Sequence, residues 1–430
     1  MKKVLLSAFA ICGIISLNAQ SWVSDSVIIG AGYANRGFYS LENGNLGSVP
    51  FATRDWLIDV SESYSATIRI NGGFNAALYK YTAGDTAAWA TLDTAGLGSS
   101  TGWQRVRDNR ETLAPSAFEA GTTGHPNYGW GQYNEISHNV TGDRLFVYKT
   151  VGNGTPNSSV WKKVWIKELG AMNSTYTVLI ADLNGANEET ISISKQGVGS
   201  KNFIYYSFAD DEVFNDEPAD STYDLIFTKH EDEYTQGGPI SIQAVTGVES
   251  NLGVLVAKAD NIVADDASYQ DFTLAEDIYG IGADWKKVNT QTFQFDIEDS
   301  LSYFVQDIPG NIWQIRFTGF VGSSAGKYRF EKRKVAFASV EEIETIGAWN
   351  VFPNPTSDYV QVVFSAKTAT DGQFSLIDLN GRTVIAETVN VSTGINQFGV
   401  TLSDKNLAPG IYIATLRAGN EIKTTKLIVR

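Results

Sequence analysis

The side chains that could bind a metal or perform acid–base work are few in some classes and abundant in others. His125, His138 and His230 are the only histidines, Met172 is the only methionine after the initiator, and Cys12 is the only cysteine. Three scattered histidines do not supply a His-rich catalytic zinc site, and no His-Glu-x-x-His or phosphate loop occurs. Gly322-Ser323-Ser324-Ala325-Gly326 has the letters of a nucleophile elbow. That chemistry needs a strand before the serine, a helix after it and a histidine downstream. Here a strand pattern follows and no histidine lies beyond His230, so the segment reads as a hairpin turn. Carboxylates are plentiful. The run Asp210, Asp211, Glu212, Asp216, Glu217, Asp220 and Asp224 offers hard oxygens for calcium but lacks the spaced Asp-x-Asp-x-Asp-Gly loop, which favours a solvated acidic loop. A carboxylate pair for glycoside hydrolysis is a matter of separation in space, and the sequence singles out none. Asp-Ser/Thr-apolar triplets at Asp25, Asp85, Asp93 and Asp299 have the form of a short O-glycosylation signal, a pattern that chance also produces.

The surroundings of these residues point outside the cytoplasm. Met-Lys-Lys, the apolar run from Val4 to Leu17 and Asn18-Ala19-Gln20 have the three-part form of a secretory leader, with cleavage expected after Ala19. Cys12 lies inside that leader, so the exported chain is expected to carry no thiol; a rival reading of Cys12 as a lipidation site is opposed by the apolar run continuing to Leu17. No later stretch reaches the roughly 20 apolar residues of a membrane helix. The formal charge of −15 becomes −17 without Lys2 and Lys3, which disfavours nucleic acid as a partner. From Trp349 onward seven basic residues meet six acidic ones, so the acidity belongs to the body, at about −18.

The elements that must position these groups read as strands. With 430 residues the chain is long enough for two or three cores. Thr67-Ile68-Arg69-Ile70, Leu145-Phe146-Val147-Tyr148, Tyr176 to Ile180 and Thr190 to Ile193 alternate apolar and polar residues between glycine, asparagine and aspartate turns. Thr292 to Asp296, Tyr303 to Val305, Ile312 to Phe317 and Tyr328 to Glu331 continue as a meander. Helical periodicity is scarce. An aromatic-led strand, a loop, a second strand and a glycine turn occur twice, at Asp55 to Gly73 and at Tyr223 to Val248, which suggests two related β units, about 20–135 and 136–340. Glu341 to Gly347 reads as an acidic connector (341–348), and the remaining residues show four to seven short strands with Asn380-Gly381 as a two-residue hairpin turn. The expected fold class is all-β, an antiparallel sandwich or meander body followed by a small C-terminal β-sandwich.

The tail carries Val351-Phe352-Pro353-Asn354-Pro355, Asp378-Leu379-Asn380-Gly381-Arg382, Leu407-Ala408-Pro409-Gly410-Ile411-Tyr412 and Lys426-Leu427-Ile428-Val429. In order and spacing these resemble the type A C-terminal sorting domain of the Bacteroidetes type IX secretion system, over Trp349 to Arg430. The resemblance implies passage through the periplasm to the outer surface or the medium, with the type IX machinery as partner. It makes Pro353, Asn354, Pro355, Gly381, Gly410, Tyr412 and Lys426 the sorting signal. An ordinary adhesive or carbohydrate-binding sandwich is the alternative.

Between Trp56 and Phe337, Tyr205-Tyr206-Ser207-Phe208, Tyr223 to Lys229, Val245-Thr246-Gly247-Val248, Ile281 to Lys286 and Phe317-Thr318-Gly319-Phe320 resemble the HmuY-like family of surface haem-binding proteins. That resemblance implies a non-enzymatic all-β body whose cargo is haem or another planar hydrophobic ligand. Haem iron takes an axial His, Met, Cys or Tyr. The candidates are His230, just beyond the Tyr223 to Phe227 strand in a loop rich in Glu and Tyr, His125 in the aromatic loop Gly124 to Trp130, and Met172. For His230 a solvated loop position is the competing reading, for His125 packing, and for His138 a place in a turn. A surface adhesin and an exported polysaccharide hydrolase are the alternative functions.

Overall fold

The computed structural model describes residues 21–62, 65–92, 94–97, 101–153, 157–234, 241–337, 346–405, 407–419 and 421–430. The expected leader with Cys12, Asp93, Ile240 of the second sequence echo and the connector up to residue 345 lie outside the described residues. The chain forms two compact units, Met1–Ala338 and Ser339–Arg430.

Alternating strands bury one face, and in the body two sets of such faces close into two sandwiches. In the first, Trp56–Asp59 and Ile68–Ile70 pair with Phe203–Ser207 and Glu212–Phe214 in a four-stranded antiparallel sheet. It packs on an eight-stranded sheet whose main path runs from Glu189–Ser194 through Trp161–Gly170 to Trp103–Val106. Trp56, Ile58, Phe146, Val164, Tyr176 and Ile204 share the core between them. In the second, Asn35–Ser40, Gly44–Pro50, Leu225–Tyr234 and Ser241–Ser250 form another four-stranded sheet. It faces a six-stranded sheet that includes Val23–Ile28, Leu301–Gln306, Ile312–Val321 and Lys327–Ala336. Tyr39, Phe227, Val248, Tyr303, Phe317 and Phe330 meet in that core.

The body therefore does not divide near residue 135, as the sequence echo suggested. Val23–Ile28 pairs with Lys327–Ala336 and Asn35–Ser40 with Leu225–Tyr234, so the second sandwich is assembled from both ends of the body and the first is inserted between them. Both halves of the echo do fall in corresponding places: each supplies an adjacent antiparallel pair to a four-stranded sheet. The 322–326 segment is the tight turn joining Ile312–Val321 to Lys327–Ala336, where Gly326 takes φ +56° and a Cβ would lie 2.7 Å from the Gly30 carbonyl oxygen. No helix longer than six residues occurs among the described residues, and none is long and apolar enough to cross a membrane.

The tail is a seven-stranded sandwich among the described residues. A sheet of Ile346–Phe352, Tyr359–Ala366 and Gly394–Thr401 covers one of Thr383–Val391, Thr370–Asp378, Gly410–Ala418 and Glu421–Val429. Val362, Phe364, Phe374, Leu376, Leu416 and Leu427 fill its interior, and every member of that cluster belongs to the tail. Ile346 is among them, so the module begins within the expected 341–348 connector rather than at Trp349.

Candidate functional site

His230 sits in the middle of Leu225–Tyr234, opposite Val245 of Ser241–Ser250, and is only 5% exposed. This corrects the loop position expected for it. The charged run Lys229-His230-Glu231-Asp232 interrupts the apolar alternation without ending the strand, and its two carboxylates are met from elsewhere. Arg105 and Arg107 reach Glu231 at 3.4 and 3.7 Å, and Arg110 pairs with Asp232. The His230 ring stacks on Tyr279, with ring centroids 4.4 Å apart and planes 25° from parallel. Tyr279 is held there by a short ladder: Ser250 donates to the Ile278 carbonyl, and Val248 and Gly282 exchange both backbone hydrogen bonds. Gly247 makes the stacking possible, since a Cβ there would lie 2.6 Å from His230 Cε1 and 2.7 Å from the Gly282 oxygen.

Around this ring lies a pocket of about 130 Å³ between the outward faces of the two four-stranded sheets. Leu57, Arg69 and Phe203 line it from the first sheet, and Arg36, Ile226 and Glu249 from the second. Arg36 is buried among carboxylates: its Nη2 donates to Glu249 Oε2 at 2.6 Å, its Nη1 lies 3.9 Å from Glu217 Oε1, and it also reaches the Tyr205 hydroxyl at 3.4 Å. Burial acts to lower the Arg36 pKa, and Tyr205, Glu249 and Glu217 overcome that and leave it raised. Glu217 is pushed up by burial against the pull of Arg36, while accepting from the Phe203 amide and the Tyr205 hydroxyl. Arg69 is committed to structure, donating to the carbonyls of Asn109, Thr112 and Leu113 and so fixing the loop that forms one wall.

His230 is the exception to this pairing. Neither ring nitrogen has a hydrogen-bond partner within the protein, although Glu249 Oε1 comes to 3.7 Å from Nδ1. Burial lowers its pKa against the opposing pull of Glu249 and Asp232, which favours the neutral ring, with one N–H donor and one lone pair that no protein group meets. A buried polar group left unpaired costs about 1–3 kcal/mol, so it calls for a partner such as water, an ion or a ligand.

The other expected haem ligands are not brought to this ring. Met172 is 97% exposed on the turn 171–174, and His125 is exposed in its loop. His125 packs on Tyr133 at 4.6 Å between centroids, and the Tyr133 hydroxyl is hydrogen-bonded to His138 Nδ1 at 2.6 Å. The acidic run is likewise not one solvated loop. Asp210 and Asp216 face Arg54 at 3.7 and 3.2 Å, Glu217 belongs to the Arg36 cluster, and buried Asp224 accepts from the Leu41 amide at 2.7 Å. Among the described residues no group of three or more His, Cys, Asp or Glu is placed to hold a metal ion.

In the tail the expected signal residues have identifiable work. Asn354 clamps the last strand, its Nδ2 donating to the Lys426 carbonyl at 2.6 Å and its Oδ1 accepting from the Ile428 amide at 2.9 Å. Pro353 and Pro355 flank it, and Thr356 extends the contact to Ile428 and Arg430. Gly381 takes φ +81° in the turn closed onto the Asp378 carbonyl. The Tyr412 hydroxyl, two residues beyond Gly410, donates to the Ala408 carbonyl at 2.8 Å.

Residues 350–430 match the family model described as the secretion system C-terminal sorting domain. This tail marks the protein as type IX secretion cargo, exported to the cell surface or secreted. Among solved structures a similarity is found to the crystal structure of dimeric latent PorU from Porphyromonas gingivalis, at 10% identity and a TM-score of 0.18, covering 68% of this chain and 26% of that one. So low a score carries no argument about the body. No curated protein matches the chain. Neither match supports the HmuY-like resemblance of the body.

Proposed function

We propose that the exported body is a non-enzymatic receptor that holds a small ligand in the pocket beside His230. The observation that carries this reading is the pair of bare ring nitrogens on a histidine 5% exposed, beside an Arg36 whose charge is met by Glu249. Pocket walls of apolar side chains with a few convergent polar groups are the usual make-up of a small-molecule site.

The volume favours cargo smaller than haem. A cavity of roughly 150 Å³ in an apolar core takes up a benzene-sized molecule, and the pocket here, at about 130 Å³, is of that order. A tetrapyrrole is several times larger. Only His230 of the three expected haem ligands lines the pocket.

Thermal-shift and absorbance measurements on the exported chain test this with haemin and a panel of small metabolites. A saturable rise in melting temperature with some small compound, lost in His230→Ala, is the expected result. A sharpened haemin Soret band that survives unchanged in His230→Ala, or no saturable His230-dependent binding across the panel, contradicts the reading and favours an adhesin acting through its surface loops.

A further inference from the structure

We infer that the type IX machinery grips the tail through an apolar patch at one end of its four-stranded sheet, formed by Ile377, Ile411, Ile413 and Ile428 with Lys426 among them. The partner surface is an apolar groove that carries a carboxylate. The patch lies within the tail's own fold, so the inference is independent of what the pocket beside His230 holds.

Along Thr370–Asp378, Gly410–Ala418 and Glu421–Val429, alternate side chains point into the tail's core and away from it. Phe374, Leu376, Tyr412, Ala414, Leu416 and Leu427 take inner positions. The outward positions fall into two unlike halves. Gln373, Ser375, Thr415, Arg417 and Thr424 occupy one, the polar composition usual for the solvated face of an antiparallel sheet, with Ile422 as a single apolar member. In the other half Ile377 lies directly opposite Ile413, and Ile411 directly opposite Ile428. None of these four belongs to the tail's core, and Ile411 is 43% exposed. Leu379, 72% exposed, stands in the turn just beyond Ile377. Apolar side chains scattered singly over a surface are ordinary, whereas a contiguous group rimmed by polar residues marks a protein-binding surface.

The occupant is indicated by what builds this end of the sheet. Residues 350–430 match the sorting-domain model, so the tail is the part that the machinery handles. Asn354 holds the Lys426 carbonyl and the Ile428 amide, and the Tyr412 hydroxyl ties the strand of Ile411 and Ile413 back to Ala408. Gly381, at positive φ, closes the turn after Ile377. The residues expected as the sorting signal thus fix the strand ends that display the patch. From Trp349 onward seven basic residues meet six acidic ones, so the tail has little net charge with which to steer a partner from a distance. Lys426 supplies a local charge instead. It is exposed on the outward face directly opposite Ile413, and its ammonium forms no ion pair among the described residues. An ammonium set among isoleucines is complemented by a carboxylate at the edge of an apolar groove.

Export of the full chain tests this. Cells with a working type IX system are fractionated, and the protein is followed with an antibody to the body. The double variant Ile411→Thr/Ile413→Thr is expected to lower the surface and medium fraction at least tenfold, with the chain held in the periplasm. Lys426→Glu and Leu379→Ser, both at exposed positions, are expected to lower it at least threefold. Ile395→Thr on the other sheet and Ile422→Thr at the far end of this one, 83% and 55% exposed, serve as controls and should be exported normally. Calorimetry of each purified chain confirms that the tail transition is retained, and the two exposed-position variants decide the matter if the double variant does not fold. Normal export of the folded patch variants, or equal losses in the two controls, overturns the inference. A purified chain that is dimeric and becomes monomeric in the patch variants while export stays normal assigns the patch to a second copy and also overturns it.

Discussion

Replacing Arg36 by Met should destabilise the body by an amount that can be worked out from its surroundings. Arg36 is 2% exposed and lies between the rings of Phe51 and Phe203, with Glu249 at 2.6 Å and Glu217 at 3.9 Å. Met fills much of the same volume but leaves two carboxylates without their cation. Removing one partner of a buried ion pair costs about 3–5 kcal/mol, against a total stability of roughly 5–15 kcal/mol for a folded unit. With a denaturant slope of about 3 kcal/mol per M, the urea midpoint of the body should fall by a little over 1 M. The loss should be repaired in part by adding Glu217→Gln and Glu249→Gln, because the penalty arises from uncompensated charge and not from packing. It should also shrink as the pH is lowered towards 5. Glu217 is already raised by burial, and without Arg36 it rises further, so the folded variant holds a proton that the unfolded chain has released, and acid favours folding. Urea titrations of the three proteins at pH 5 and 7.5, followed by tryptophan fluorescence, measure all of this. A midpoint shift below about 0.3 M, or a triple variant no more stable than Arg36→Met, refutes the buried ion cluster as a source of stability.

Other substitutions probe separate parts of the molecule. Lys286 is buried against Trp285, donates to the Thr246 carbonyl, and has its pKa lowered to about 7 by burial. Between that value and the ordinary lysine range the unfolded chain holds a proton that the folded one lacks, so stability rises with pH through this window and is lowest below it; the span corresponds to an upper bound of roughly 5 kcal/mol. Lys286→Met should therefore stabilise the body most at pH 6 and least near pH 10, and thermal melts showing the reverse order contradict this. Gly247→Ala should push the His230 ring off Tyr279, costing about 1–3 kcal/mol by overpacking and abolishing His230-dependent ligand binding; a variant that binds normally argues against the stacked geometry. Phe374→Ala, at a fully buried tail position, should cost about 3–5 kcal/mol. Calorimetry should show the tail transition lost and the body transition unmoved, and a body transition that shifts equally means the cores are not separate.

Strand content was legible because period-2 alternation survives wherever one face is buried, as in Tyr176 to Ile180 and Thr190 to Ile193, which pair directly. The turn at 322–326 was legible for the same local reason; a turn at Asn380-Gly381 was too, but it is a three-residue loop between Asp378 and Arg382 with Gly381 alone at positive φ, not the two-residue turn expected. The tail motifs were legible because Asn354 and Gly381 perform backbone tasks that tolerate few other residues. Partner choice was not legible. Alternation says which face is buried and is silent on which strand lies alongside, so the pairing of Val27 with Tyr328 had no local signal. The site was half visible. His230 was singled out, but the charges on both sides of it read as a loop, because Arg105, Arg107 and Arg110, which meet its carboxylate neighbours, lie more than 120 residues away in the chain. Tyr279, Glu249 and Arg36 reach the pocket from distant strands and loops, and nothing in their own neighbourhoods marks them.

The proposed division of labour is a body that binds and a tail that delivers it. Fractionation of cells producing the chain with and without residues 339–430 tests that division most directly. The intact protein should be found on the surface or in the medium, and the truncated one in the periplasm with the same melting temperature for the body. A truncated chain that still reaches the surface, or one that no longer folds, contradicts it.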